Sequence, residues 1–421
     1  MPIETERATA DGGLRGSPLA LDEARARIVV LAATRSVPSE AVTTEHALGR
    51  VLAEDVVAPF DVPGFANSAM DGYALRHADL SPGEVTRLRL IGIALAGGAP
   101  AQAVTRGTCV RITTGAQLPG GADTVSIKEE TTADGDTIHI SPGTRAGANV
   151  RPAGEDYRAG DRALTRGSHL TPARIGALAS FGMREVMVAR RPRAVLLTTG
   201  DELVAPGQEL GAGQIHDSNR YSLGAMLAHA GVEVVRHERL RDDPATLRAA
   251  LLRASAEADI VLTSGGVSAG EADYMPGLLG EIGTVHFWKV RIKPGLPFLC
   301  ASIGRAFVFS LPGNPVSGMV TFMMLVRPAI DALTGRTEWP PPLRARLAQA
   351  VHKRHDRTEL LRATLHCDAE GILHATPLPK QGSGMVAGMA GASALVRIPE
   401  SAGEYGPGTV VDVLPLPYAF D

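Results

Sequence analysis

Cysteine is nearly absent: the chain has 3 in 421 residues, Cys109, Cys300 and Cys367, all far apart. An odd count at wide spacing excludes a disulfide framework and offers no thiolate zinc motif, so all three are expected as packing residues. Aromatic residues make up only 4%, which leaves too few rings for a base-stacking, single-strand nucleic-acid surface. An excess of positive charge is also missing. With a formal net charge of −3, a phosphate-coating face for nucleic acid is not expected. No apolar run reaches the roughly 18 residues of a membrane span, and Met1–Ser17 lacks the basic start and apolar core of a signal peptide. The expected setting is therefore the cytoplasm, with no membrane and no nucleic-acid partner. Neither a Walker loop nor a G-x-G-x-x-G dinucleotide fingerprint is found.

What is present is enough chain for two to four domains. Residues 1–17 have no hydrophobic period and read as a flexible tail. From Pro18, the apolar residues Leu21, Ala24, Ile28, Leu31 and Ala32 recur at helical spacing, with Pro18 suited to a first turn. Between Val85 and Ile140, short alternating segments separated by Gly and Pro predict a small β domain. From Arg193, strand-like runs (AVLLTT, EVVRHERL, DIVLTS, HFWKVRI, FVFSL) alternate with helix-like runs near Leu223–Ala230, Leu247–Ala256 and Val316–Leu333. That alternation predicts a doubly wound α/β domain. The cluster Trp339-Pro340-Pro341-Pro342 marks a boundary, after which a hairpin and two further strands predict a second β domain.

Three Gly-bearing turns follow strands of the α/β pattern: TTGDEL, SGGVSAGEAD and LPGNP. Ligands of open α/β sheets bind beyond the carboxyl ends of the strands, so these turns are candidate binding loops. Gly265, Gly266 and Gly270 can turn backbone N–H groups toward an anion. The same loop matches the nucleophile elbow through Gly266-Val267-Ser268-Ala269-Gly270, which raises a serine hydrolase using Ser268 as an alternative. That reading needs a downstream histidine, and His286, mid-strand, is the one available within the α/β stretch. Lysines are few, 5 of the 42 basic residues. Lys289 and Lys293 stand four apart, a spacing that would place both on one face of a strand and suits an oxyanion. The carboxylates Asp71, Asp156, Asp201, Glu202, Asp242, Asp243 and Asp273, without His or Cys clusters, favour Mg2+ over softer metals. Asp243, just before Pro244, is expected as a helix cap.

Read together and in this order, NSAMDGYA at Asn67–Ala74, TTGDEL, SGGVSAGEADY, KPG and LPGNPVS resemble the molybdopterin molybdenumtransferase (molybdenum insertase) family, which includes the E domain of gephyrin. The resemblance runs from about Pro18 to the end. It implies insertion of molybdate into adenylylated molybdopterin, with loss of AMP and with a divalent metal. It also implies an architecture: an elongated domain from segments 18–62 and 148–189, a β domain inserted at 63–147, the molybdopterin-binding α/β domain at 190–337 and a C-terminal β barrel at 338–421. By motif, the catalytic set implied is Asp71, Thr114, Asp156, Glu202, Asp242, Asp273, Lys289 and Lys293, with Asp71, Asp156 and Glu202 at the metal. Substrate contacts implied are Gly265, Gly266, Ser268 and Gly270, the loop Pro312, Gly313, Asn314 and Pro315, and Ser317, Arg357 and Ser383. Of these, Lys293, Ser317, Arg357 and Ser383 are the implied molybdate contacts.

The resemblance further implies a homodimer whose active site joins the α/β domain of one subunit to N-terminal residues of the other, with a molybdopterin adenylyltransferase as substrate donor. One position departs from the pattern. Many relatives read KPGKP where this chain reads KPGLP, so Leu296 removes one positive charge. A binding or scaffold protein of the same fold, acting without turnover, is the alternative from another class.

Overall fold

The structure is a computed structural model that describes residues 17–99, 101–267, 274–339 and 343–416. Nearly all of the expected tail, and the candidates Ser268, Gly270 and Asp273, lie outside the described residues.

The α/β region is built on a six-stranded sheet. Four strands run parallel, in the spatial order Glu233–Leu240, Arg193–Thr199, Ile260–Ser264 and Ala306–Leu311. Leu299–Ile303 and Thr284–Trp288 extend it antiparallel. Both faces are covered. Leu196, Leu262 and Phe309 pack with Leu223, Leu227 and Phe322 on one side, and Val195, Leu197 and Val308 with Leu247, Leu251 and Leu279 on the other. Burial on two faces is why the parallel strands read as continuous apolar runs rather than alternating ones. Each such Leu or Phe contributes about 1.5–3 kcal/mol by leaving water.

The helices start where the caps dictate. Asp217 accepts from Arg220 N at 3.0 Å to open Ser218–His229. Asp243 accepts from Thr246 N at 2.8 Å to open Pro244–Glu257, which is the capping role expected of it. The first helix, Leu21–Ala33, begins after Pro18 rather than on it. Leu19 is instead held in a bridge to Val290. One helix, Pro315–Leu333, is long and apolar enough to cross a membrane, unlike the short runs expected, but 78% of its apolar window is buried inside the fold. It is the core helix of the first face.

Segments before and after the inserted β domain pair with each other, Ser39–Thr43 with Glu185–Ala189 and Val56–Val57 with Arg162–Leu164. Between them lies a second six-stranded sheet, which includes Gly72–Leu75, Thr108–Ile112 and Thr124–Ile127. At the C-terminal end, Thr358–Cys367, Leu373–Pro377, Leu343–Leu347, Val410–Pro415 and Ala394–Ile398 pair in sequence, and the last returns to the first. That closure makes a five-stranded barrel around Leu347, Ala363, Val396 and Val413.

Two expectations need correction. Cys109 and Cys300 are buried, but Cys367 is exposed at the end of a barrel strand, where no core is present to pack against. The run HFWKVRI is not one strand. Thr284–Trp288 ends the sheet, Lys289 takes a left-handed φ of 71°, and Ile292–Lys293 starts a separate strand paired with Thr358–Glu359 of the barrel. Lys289 and Lys293 therefore do not share a strand face. The backbone is bent here because Leu19 N donates to Lys289 O and Leu296 O accepts from Val290 N.

Candidate active site

Strand Arg193–Thr199 leads to its neighbour Glu233–Leu240 on one side, and the next strand in the chain, Ile260–Ser264, is added on the other. The order reverses between Arg193–Thr199 and Ile260–Ser264, so a crevice opens at their carboxyl ends. Gly200, Gly265–Gly266 and Pro312–Gly313 line it, as their positions after the strands require. Gly265 has φ +102°, and a Cβ there would stand 2.6 Å from Thr199 Oγ1 and 2.8 Å from Thr199 O. Only glycine fits so close an approach. Gly265 N donates to Leu311 O at 3.1 Å, which ties the second loop to the third. Among the described residues, the starts of the three loops meet at Thr199, Gly265 and Gly313. Glu202, exposed, folds its carboxylate back over Gly200. Asp242 follows the end of Glu233–Leu240 and so belongs to the same edge of the sheet.

Beside this floor is a seam between the α/β region and the barrel. Asn314 Nδ2 donates to Ser383 Oγ at 3.1 Å, and Val316 N donates to Ser383 O at 3.0 Å. The LPGNP loop and the QGSG loop are thus one structure, with Pro315 opening the helix and Ser317 buried in its first turn. Lys293 Nζ lies 2.9 Å from Glu359 Oε1, its cross-strand partner. Arg357 lies two residues from that glutamate and donates its N–H to His355 Nδ1 at 3.3 Å. Lys289 faces the other way. Its Nζ is 4.2 Å from the centre of the Trp288 ring, and that indole donates to Val267 O at 3.2 Å, in the glycine loop.

In the inserted β domain, Asp71 Oδ1 accepts from Thr114 N at 2.7 Å and from Thr114 Oγ1 at 2.8 Å. Those bonds, the backbone one first, hold the exposed Asp71 carboxyl below its usual range. Asp156 is exposed and donates its N–H to Val62 O at 2.9 Å. Among the described residues no group of three or more His, Cys, Asp or Glu could hold a metal ion. Asp71, Asp156 and Glu202 therefore do not assemble a metal site within one chain. Their segments are separate, and Asp71 has already committed an oxygen to Thr114.

Some residues of the site escaped sequence reasoning. Asp217 accepts from Thr198 Oγ1 at 2.7 Å as well as capping its helix. Asn219 Nδ2 donates to Ser264 Oγ at 2.8 Å and to Gly313 O at 2.7 Å. Arg362, fully buried, holds the loop around Ser383 by donating to the carbonyls of Lys380, Gly382 and Met385. The capping signature of Asp217 was readable, whereas an arginine buried inside a barrel strand gives no local signal. The hydrolase alternative is not favoured. His286 is buried mid-strand with Nε2 3.1 Å from Ser302 Oγ, and burial, then nearby Arg35, pushes its pKa down to about 4.

Comparison with known proteins agrees with this architecture. The chain matches the MoeA N-terminal region (domain I and II) over residues 19–182, the probable molybdopterin binding domain over 195–332 and the MoeA C-terminal region (domain IV) over 344–416. It is 36% identical to a molybdopterin molybdenumtransferase of Haemophilus influenzae over 405 residues, covering 94% of this chain and 98% of the relative. A Nostoc sp. protein of the same name is 34% identical, over 90% of this chain and 89% of its own. Among solved structures, the molybdopterin biosynthesis moeA protein of Pyrococcus horikoshii OT3 superposes with a TM-score of 0.83 at 28% identity, covering 95% of this chain and all of that one. With glycine loops at the switch point, a barrel seam carrying lysine and arginine, and relatives matched along nearly their whole length, the chain belongs to the molybdopterin molybdenumtransferase family.

Proposed function

We propose that this protein is a molybdenum insertase: it takes molybdate and adenylylated molybdopterin, inserts the metal oxyanion and releases AMP, giving molybdenum cofactor in the cytoplasm. The observation that carries this reading is the pairing of two adjoining regions suited to anions. The glycine floor, with Lys289 beside it, suits the phosphates of the pterin substrate, because backbone N–H groups and an ammonium can face them. The seam, with Lys293, Ser317, Arg357 and Ser383, suits a tetrahedral oxyanion. There Arg357 can offer two parallel donors and Lys293 a compact charge. Asp242, just past the end of Glu233–Leu240, is proposed for the acid set on the α/β side.

Mg2+ is proposed from chemistry, since phosphate substrates and carboxylates are hard oxygen donors. One chain alone does not bring Asp71, Asp156 and Glu202 together, so no catalytic step is assigned to the ion. We propose instead that Asp71 of the inserted domain and Asp156 of the segment after it serve the crevice of a second copy in a homodimer. Exposed Phe60, Phe65 and Met70, which precede Asp71 in the chain, support this, because they offer apolar side chains for such a contact. Active mixed dimers of Asp71→Ala and Lys293→Ala would agree with it, and a fully active monomer in sedimentation would contradict it. The donor of the pterin is proposed to be a molybdopterin adenylyltransferase.

The deciding experiment incubates the purified protein with adenylylated molybdopterin, magnesium and molybdate, and measures AMP and cofactor. AMP release dependent on molybdate supports the insertase. Binding of the pterin with no AMP release would instead favour a scaffold that uses the same crevice.

A further inference from the structure

We infer that Asn219 is a positioning residue for the pterin substrate, the clamp that sets the distance between the glycine turn Ser264–Gly266 and the loop Leu311–Pro315. The inference rests on the insertase reading of the crevice. Asn219 sits in the first turn of Ser218–His229, the helix that follows the loop after strand Arg193–Thr199. From there its single amide nitrogen reaches Ser264 Oγ at 2.8 Å and Gly313 O at 2.7 Å. A backbone carbonyl can only accept, so the atom facing Gly313 is the NH2, and both of its protons are used. One side chain thus links the connection after the first strand to the ends of the second and third.

The anchor of this clamp is itself fixed. Asp217, two residues earlier, is 3% exposed and bonds both to Thr198 Oγ1 and to Arg220 N. Asn219 cannot drift without breaking a buried hydrogen bond to the neighbouring strand. The rest of the amide does nothing for stability. Among the described residues Asn219 Oδ1 is buried and has no hydrogen-bond partner, and neither has Thr199 Oγ1, beneath Gly265. Leaving acceptors unsatisfied at the crevice costs stability, and such costs concentrate where function needs the geometry. No other residue type offers two donors from one short planar group at this reach. Aspartate has the shape but would set an oxygen against the Gly313 carbonyl, and alanine would free both loops from the helix start.

The test compares Asn219→Ala, Asn219→Asp and Ser264→Ala in the AMP-release assay, with thermal melting of each. Two neutral hydrogen bonds are lost in Asn219→Ala and one in Ser264→Ala. At about 0.5–1.5 kcal/mol each, the KM for adenylylated molybdopterin should rise about tenfold to a hundredfold in the first and about threefold to tenfold in the second. Asn219→Asp should follow Asn219→Ala despite its conserved shape. In all three, kcat and the molybdate half-saturation should stay within about twofold, because the clamp acts on ground-state and transition-state binding alike. A lowered kcat at unchanged KM would mean lost folded protein only, and would overturn the inference. Equal shifts for pterin and molybdate would overturn it too. Should Asn219→Ala fail to fold, Ser264→Ala and Asn219→Asp still decide. An inactive wild type would instead remove the insertase reading.

Discussion

The crevice floor and the barrel seam both face anions in our reading, yet they are built by opposite means. The floor is made of backbone, with glycines brought against Thr199 and loops tied by Asn219. It has rigid N–H groups and few charges. The seam is made of side chains, where Lys293 is held by Glu359 across a strand pair, and Arg357 and Ser383 come from barrel loops. It can exchange partners, since an arriving oxyanion competes with Glu359 for the same ammonium. A floor of this kind should fail through sterics and a seam through charge, and substitutions can separate the two.

The largest effect is expected at the floor. Gly265→Ala would force a Cβ to within 2.6 Å of Thr199 Oγ1 at a φ of +102°. Strain and overpacking together should destabilise the fold by about 2–4 kcal/mol. Gly277→Ala is the control, because nothing lies within 4 Å of its Cβ and it sits in a helix where alanine is favoured by about 1 kcal/mol. Guanidinium unfolding of both reads the contrast. If Gly265→Ala were as stable as wild type, the floor would not be a close-packed backbone structure.

Next comes the strand that leads from the floor's sheet toward the seam. His286 has a folded pKa of about 4, against about 6.5 when unfolded. Above pH 6.5 it is neutral in both states and its contribution is complete. As pH falls from 6.5 to 4, the unfolded chain takes up the proton first, and about 2–3 kcal/mol of stability should be lost. His286→Gln, compared at pH 7 and pH 4.5, should show a smaller decline than wild type. The same decline in both proteins would place the acid sensitivity elsewhere.

The two lysines test the division directly. Lys293→Ala should raise the molybdate needed for half-maximal insertion by about one to two decades, the worth of a charge-assisted hydrogen bond. Lys289→Ala should mainly weaken the adenylylated pterin. Equal effects on both ligands would merge floor and seam into one pocket.

The contrast between the regions also explains what could be read in advance. The floor was legible because its parts are local. Three glycine turns each follow an apolar strand, and strand period plus the switch-point rule bring them together without any long-range information. The seam depends on which strand pairs with which, so Lys293 was placed on the wrong element while its own pairing with Glu359 went unseen. Leu299–Ile303, a short buried antiparallel strand, was missed because it neither alternates nor stands apart from its neighbours. The helix-like run predicts a start near Leu223, which leaves Asn219 outside it, although Asp217 in front of Ser218 is a capping signal. Asp71, Asp156 and Glu202 are grouped by the motif resemblance, and a motif does not say how far apart its residues fold within one chain.

The smallest effect concerns Leu296, where the family pattern implied by the resemblance has lysine. Its carbonyl already closes the turn, accepting from Val290 N at 3.0 Å and Phe298 N at 2.9 Å. Both bonds belong to the backbone, and the side chain is only partly buried, so Leu296→Lys should keep the turn intact. The added ammonium would stand in the same short turn as Lys293, which favours anions but repels its neighbour. Exposed charges of this kind contribute about 0–1 kcal/mol, so affinity for the adenylylated pterin should improve no more than about fivefold. Salt screens such charges, so the gain should shrink from low to high ionic strength, whereas losses at Gly265 should not respond to salt at all. Titrating both variants with the pterin at two salt concentrations checks this. A gain that survives high salt would mean that the lysine acts by direct contact, and position 296 would then belong to the pterin-binding floor.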